Sequence, residues 1–229
     1  MIPKVIGFDF DGVITVAGER AKQVGWSVLL MELVAEGHPK NLPEVFAAEQ
    51  ERFVGKNAVV KGDRYDILWG MWRGLNYPGE KCCTLVNECA WRYDSITRKL
   101  IVESGVHPST HLALQNWKRK GIPLYIISAT PEEALVQSVR ELSLEGFGFT
   151  KILGFPKKKP DHLREIIAEK RIQSGELLFI GDSSGDYKAA QTVQCGFIGV
   201  GNEFNQWTTQ SQPFPVVRLL TEIDTVVGL

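Results

Sequence analysis

The sequence predicts an α/β protein whose parallel sheet is interrupted, after its first strand, by an all-helical insertion. Short apolar runs of strand length stand at Val5–Phe10, Leu124–Ser128, Leu177–Gly181 and Gly196–Val200, with a shorter one at Lys151–Gly154. Helical patterns separate the runs of the C-terminal half, and alternation of this kind gives a parallel sheet with right-handed crossovers. Between the first run and the second, roughly a hundred residues carry helical periodicity alone.

The first run is apolar throughout, as a strand buried on both faces must be. The helices follow. Trp26, Leu29, Leu30, Leu33 and Val34 make one stripe, ended by Gly37-His38-Pro39. Further helices are expected over Pro43–Phe53, Asp63–Leu75 and Glu80–Leu100. The last carries Cys82, Leu85, Val86, Cys89, Ala90 and Tyr93 on one face. Ser109 is expected to cap a helix ending at Gly121. Thr130 and Glu133 read as a capping box with Pro131 at the first helical position, ahead of Leu135, Val136, Val139 and Leu142. Pro160 opens another helix with Leu163, Ile166 and Ile167 on its inner face. The first strand could not form a core alone, so the helical part, residues 17–105, is an insertion into a core of residues 1–16 and 106–229. Its boundaries are expected in loops near Val16–Gly18 and Gly105–Pro108.

The bulk numbers narrow the function. The chain has 229 residues, with 26 basic and 27 acidic side chains, so no single-signed field argues for nucleic acid or a membrane surface. No apolar run approaches the roughly 20 residues that span a bilayer. The N-terminus enters a strand pattern with no signal-peptide layout, and the expectation is a cytoplasmic protein, monomer or homodimer. Of Cys82, Cys83, Cys89 and Cys195, Cys82 and Cys89 fall on the apolar face of the Glu80–Leu100 helix, where buried reduced thiols are expected, and no CxxC pair or nearby His completes a metal site. His107 and His111, four apart, lack a third metal ligand nearby and are assigned a surface or capping role.

The stretch "GFDFDGVI" then needs explaining, because Asp9 and Asp11 end a buried strand. In open α/β sheets ligands bind at the C-terminal edge of the strands. Ser128 follows "YII" and Asp182 follows "LLFIG", so they belong to the same edge, and Asp186 enters the next helix in "GDSSGDYKAA". Any one of these aspartates suits a turn or a helix cap. Together, at successive strand ends, they form a cleft of mutually repelling carboxylates. A hard divalent cation such as Mg²⁺ relieves that repulsion with oxygen ligands.

"DFDGV", "IISAT", the Lys-Pro at Lys159 and "GDSSGD" resemble, in order, the four motifs of the haloacid dehalogenase-like (HAD) hydrolases. The resemblance covers the whole chain, with the helical insertion where that family carries its type-1 cap domain. It implies a Rossmann-like parallel sheet, a mobile helical lid, and the Mg²⁺-dependent phosphatase activity of most members. Carried over by motif, Asp9 is the nucleophile and forms an aspartyl-phosphate. Asp11 is the general acid/base. Its presence favours phosphoryl transfer, since the family's dehalogenases lack it. Gly12, Ser128 and Ala129 bind phosphate, and Lys159 pairs with the nucleophile and the phosphoryl group. Lys157 and Lys158 are read as solvated. The implied metal ligands are Asp9, Asp11 (through its backbone carbonyl), Asp182 and Asp186, the last directly or through water. Ser183 and Ser184 orient the loop or serve as turn and cap residues.

The lid would meet the remainder of a small phosphorylated metabolite. Arg20, Lys56, Lys61, Arg64 and Arg73 are the cap candidates, with Gly62 between two of them. Many phosphoglycolate phosphatase-like members carry a polar pair shortly after "DGV", where this chain has Val16 and Ala17. Two other readings use the same residues: a phosphomutase or phosphonatase on the same core, and a non-catalytic binding module. No GxGxxG follows any strand, which argues against a dinucleotide site.

Overall fold

The computed structural model describes residues 2–54 and 63–228. Six strands form one parallel sheet: β1 (Val5–Phe8), β2 (Leu124–Pro131), β3 (Lys151–Phe155), β4 (Leu177–Gly181), β5 (Gly196–Val200) and β6 (Val216–Val217). Their order across the sheet is β3-β2-β1-β4-β5-β6. The chain therefore builds outward from β1 in one direction and resumes from β4 in the other, so the strand order reverses between β1 and β4. β1 pairs in parallel with both, Ile6 facing Leu124 on one side and Leu178 on the other. All four of its residues are buried, as a central strand covered on both faces requires.

The chain divides into two compact units, residues 1–19 with 101–229, and residues 20–100. The first holds the sheet. Val5, Tyr125, Ile127, Phe179, Leu163 and Ile166 pack on one of its faces. The second unit is helical. It takes in most of α1 (Gly18–Ala35) and α4 (Gly79–Ser104), with α2 (Leu42–Val54) and α3 (Arg64–Gly74) between them. Its core joins Leu29, Leu33, Phe46, Leu68, Trp72 and Cys89. Trp26 stacks on Tyr93 with ring centroids 3.8 Å apart, and Arg92 reaches Glu32 and Glu36 at 2.7 and 2.8 Å. Asp63 caps α3, accepting from the amides of Tyr65 and Asp66, while Asp66 answers the Asp63 amide. The division thus falls in the first turn of α1 and the last turn of α4.

Three expectations need correcting. Thr130 and Pro131 do not start a helix. β2 runs through Pro131, which pairs with Phe155 of β3, and α6 (Glu132–Glu141) begins one residue later without a side-chain cap. Ser109 precedes α5 (Thr110–Arg119) but makes no capping bond, because its hydroxyl accepts from the Leu220 amide at 3.0 Å. The first strand stops at Phe8, two residues short of the apolar run, so Asp9 and Phe10 lie just past its end. Lys56, Lys61 and Gly62 lie outside the described residues. Among the described residues no helix is long and apolar enough to cross a membrane.

Candidate active site

Asp9 and Asp11 follow β1 directly, and Asp182 follows β4, its neighbour across the point where the strand order reverses. Ligands of open α/β sheets bind at that position. Asp186 enters from the first turn of α8 (Ser184–Val193), and Lys159 is the first residue of α7 (Lys159–Lys170). One carboxylate oxygen from each of Asp9, Asp182 and Asp186 can be chosen so that all three lie within 4.8 Å of one another. The Lys159 ammonium bridges two of the three, 2.8 Å from Asp9 Oδ1 and 2.5 Å from Asp186 Oδ1. Lys157 instead pairs with Glu165 at 2.5 Å, and Lys158 precedes the helix, so among the three consecutive lysines Lys159 is the one held by the aspartates.

Asp11 is also buried, but its carboxylate is not in that trio. Asp11 Oδ2 accepts from the Thr130 hydroxyl at 3.4 Å. Ser128 is buried within β2, three residues before its end, and its hydroxyl accepts the Thr130 amide at 3.1 Å. Ala129, between them, is exposed. Gly12 has φ +78°, and a Cβ there would fall 2.1 Å from Asp182 Oδ2, so glycine lets the backbone lie against that carboxylate. After Gly12 the chain turns back, with the amides of Ile14 and Thr15 both donating to Phe10 O.

Local chemistry fixes each donor. Ser183 is the N-cap of α8: its hydroxyl accepts the Asp186 amide, and Asp186 Oδ2 accepts from the Ser183 amide at 3.1 Å. Both Asp186 oxygens are thereby engaged, one by Ser183 and one by Lys159. Gly181 leaves room for this, since a Cβ there would lie 2.3 Å from Asp186 Cβ. Lys159 is set by its helix. Pro160 fits the first turn, and one turn on the buried His162 donates from Nε2 to Gly154 O of β3 at 3.0 Å.

The site is strongly negative for its depth. Burial, then Asp186, raise the Asp9 carboxyl; Lys159 pulls it down, and Asp182 and Asp11 raise it again, leaving it pushed up to about 7. Burial opposes the charge on Lys159, but Asp9 and Asp186 outweigh it and hold the ammonium above lysine's usual range. Three oxygens from buried or half-buried carboxylates, drawn together against their own repulsion, fit a hard divalent cation.

Two residues that hold Asp182 in place escaped the sequence reading. Asn202 Nδ2 donates to Asp182 Oδ2 at 2.9 Å, and Asn205 Nδ2 donates to Asp182 O at 2.8 Å. Both belong to the loop after β5. They too follow a buried apolar run at the C-terminal edge, a signal that by itself does not tie a loop asparagine to Asp182. His107 lies against Ser109, and burial lowers its pKa; it has no place in the acidic trio. Arg64 pairs with Asp94 inside the helical unit, while Arg20 and Arg73 are exposed. Cys82 and Cys89 are buried free thiols, that of Cys89 pushed up to about 11 by burial.

Comparison with known proteins supplies the family. The family model described as haloacid dehalogenase-like hydrolase matches residues 3–194. The chain belongs to the haloacid dehalogenase-like hydrolase family. It is therefore an enzyme of the hydrolase class. Among curated relatives of this HAD hydrolase, the phosphoglycolate phosphatase of Pectobacterium atrosepticum is 24% identical over 206 residues, covering 85% of this chain and 86% of that protein. Two solved structures share the fold. One is described as a predicted phosphoglycolate phosphatase from Haemophilus somnus, with TM-score 0.70, 18% identity and coverage of 98% and 97% of the two chains. The other is assigned as the HAD-hydrolase YfnB of Bacillus subtilis, bound to magnesium, with TM-score 0.71, 14% identity and both chains covered in full, 100% and 100%.

Proposed function

We propose that this HAD hydrolase is a Mg²⁺-dependent phosphatase that hydrolyses a small phosphorylated metabolite through an aspartyl-phosphate on Asp9. One observation carries the reading: the carboxylates of Asp9, Asp182 and Asp186 gather within 4.8 Å at the reversal of strand order, with Lys159 bridging two of them. Asp9, Asp182 and the Asp11 backbone carbonyl would hold Mg²⁺ directly. Asp186, whose two oxygens are already engaged, would hold it through water. When bound, the cation neutralises charge on the transferring phosphoryl group and on the carboxylates around it.

The chain's own residues supply the remaining steps. Asp9 Oδ1 is occupied by Lys159 and by the Phe10 amide at 2.8 Å, so Oδ2 is the oxygen we assign to attack phosphorus. Asp11, steered by the Thr130 hydroxyl, protonates the departing alkoxide and then takes a proton from the water that cleaves the aspartyl-phosphate. The Ser128 hydroxyl and the Ala129 amide receive the phosphoryl oxygens, and Lys159 offsets their charge. The names of the curated relatives make phosphoglycolate the first ester to assay.

Asp9→Asn tests the reading. It removes the attacking carboxylate while keeping shape, so turnover of p-nitrophenyl phosphate is expected to fall by about a thousandfold or more with the circular dichroism spectrum unchanged. Retained activity in this variant, or activity indifferent to EDTA, refutes the assignment. A panel of phosphoglycolate, sugar phosphates and a phosphonate, read by phosphate release and product analysis, separates hydrolysis of an ester from isomerisation or C–P cleavage.

A further inference from the structure

The loop after β5 is folded by the side chains of two asparagines. Asn202 Oδ1 accepts the amides of Phe204 and Asn205 at 2.9 and 3.0 Å. Asn205 Oδ1 accepts those of Asn202 and Trp207 at 3.0 and 2.9 Å. Two N–H donors on each oxygen settle the orientation of both amides, so each Nδ2 is the donor end. Both donor ends point at one residue. Asn202 Nδ2 meets Asp182 Oδ2, and Asn205 Nδ2 meets Asp182 O while also reaching Val200 O at 3.2 Å. The same Asp182 Oδ2 is walled by Gly12, whose missing side chain leaves just enough space for it.

We infer that Asn202 is a positioning residue that sets the rotation of the Asp182 carboxylate and so tunes divalent-cation affinity. This rests on the Mg²⁺ reading of the site. The chemistry favours an amide here. A lysine or arginine would neutralise Asp182 and compete with the cation, and a carboxylate would repel it. A neutral donor orients the oxygen and leaves the charge in place. Asn202 divides the two tasks between its ends: the acceptor end builds the loop and the donor end holds the ligand. Hydrogen-bond partners of metal ligands typically alter affinity by 10- to 100-fold when removed.

The two tasks can be separated experimentally. Asn202→Ser keeps an acceptor that can fold the turn but is too short to reach Asp182. Asn202→Thr offers the same acceptor should the serine variant melt early. Magnesium binding is read by calorimetric titration of the substrate-free protein beside Asp182→Asn, with kcat and KM measured at several Mg²⁺ concentrations. The expected result is a Mg²⁺ dissociation constant raised about tenfold in the turn-keeping variant. Its melting temperature without metal should lie within about 2 °C of the parent. kcat at saturating Mg²⁺ should return close to the parent value, with substrate KM unchanged. Parental Mg²⁺ affinity in Asn202→Ser and Asn202→Thr, beside weakened binding in Asp182→Asn, overturns this inference alone. Parental affinity in Asp182→Asn as well overturns the metal reading, and the inference with it.

Discussion

Burial and three neighbouring carboxylates push the Asp9 carboxyl up to about 7, against the pull of Lys159. An aspartate at its ordinary value would be fully ionised at neutral pH and ready to attack. In this cluster, without a cation, burial and the neighbouring carboxylates favour its protonated form far more than for an ordinary aspartate. The consequence for stability has a definite sign. A folded-state pKa above the unfolded value contributes stability that is complete below about 3.8 and is lost as pH rises through about 7. In EDTA, the melting temperature of the parent relative to Asp9→Asn should therefore fall between about pH 5 and about pH 8. At the upper pH, Mg²⁺ should raise the parent more than the variant. A difference that stays flat across this range would mean Asp9 titrates as an ordinary carboxylate. Asp9, Asp11 and Asp182 were legible in sequence because they follow apolar runs, and Asp186 because it enters the helix just after one. Thr130 was not, since its spacing to Glu133 looks like a capping box; its hydroxyl turns to Asp11 and its amide to Ser128 instead. Asn202 and Asn205 were hidden for another reason: an asparagine pair in a loop has many turn uses, and only the fold brings this one to Asp182.

Elements place these residues through close backbone approach. Gly12 combines φ +78° with a Cβ position 2.1 Å from Asp182 Oδ2, so Gly12→Ala carries two separate penalties. The left-handed conformation costs a non-glycine residue about 1–2 kcal/mol. The added methyl must also displace the carboxylate oxygen that Asn202 holds. The expected outcome is a denaturation midpoint lowered to match a loss of at least that size, with weaker Mg²⁺ binding. A variant that loses stability but binds Mg²⁺ normally would show that the loop relaxes away from Asp182. The strands were legible where burial on both faces made them continuously apolar: Leu177–Gly181 and Gly196–Val200 have the bounds their apolar runs indicate. β6, Val216–Val217, has only two residues and no room to show a period. The end of β2 was misjudged because proline usually opens helices, whereas here its carbonyl side still serves the ladder with β3.

For the whole molecule, the two chain segments of the sheet unit meet each other on either side of the helical insertion in sequence. Thr15 forms an antiparallel bridge with Val106, the His107 amide donates to Ile14 O at 3.0 Å, and the Val16 amide donates to Gly105 O at 3.4 Å. All these residues belong to the sheet unit, so its two segments are held together without residues 20–100. The sheet unit also has its own apolar face around Val5, Phe179 and Leu163, and the acidic trio lies wholly within it. Replacing Arg20–Leu100 with a Gly-Ser linker of about six to eight residues should span the gap with little strain, since the flanking chain already meets at Val16 and Gly105. The shortened protein is expected to melt cooperatively, bind Mg²⁺ with near-parental affinity, and hydrolyse p-nitrophenyl phosphate. Its preference among natural esters should flatten, because selectivity beyond the phosphoryl group needs contacts the core motifs do not supply. Circular dichroism melting, calorimetric Mg²⁺ titration and the ester panel measure the three. A non-cooperative melt would show that the sheet depends on the helical unit to fold. An undiminished ester preference would place selectivity in the sheet unit, around the loops that carry Ser128 and Asn202.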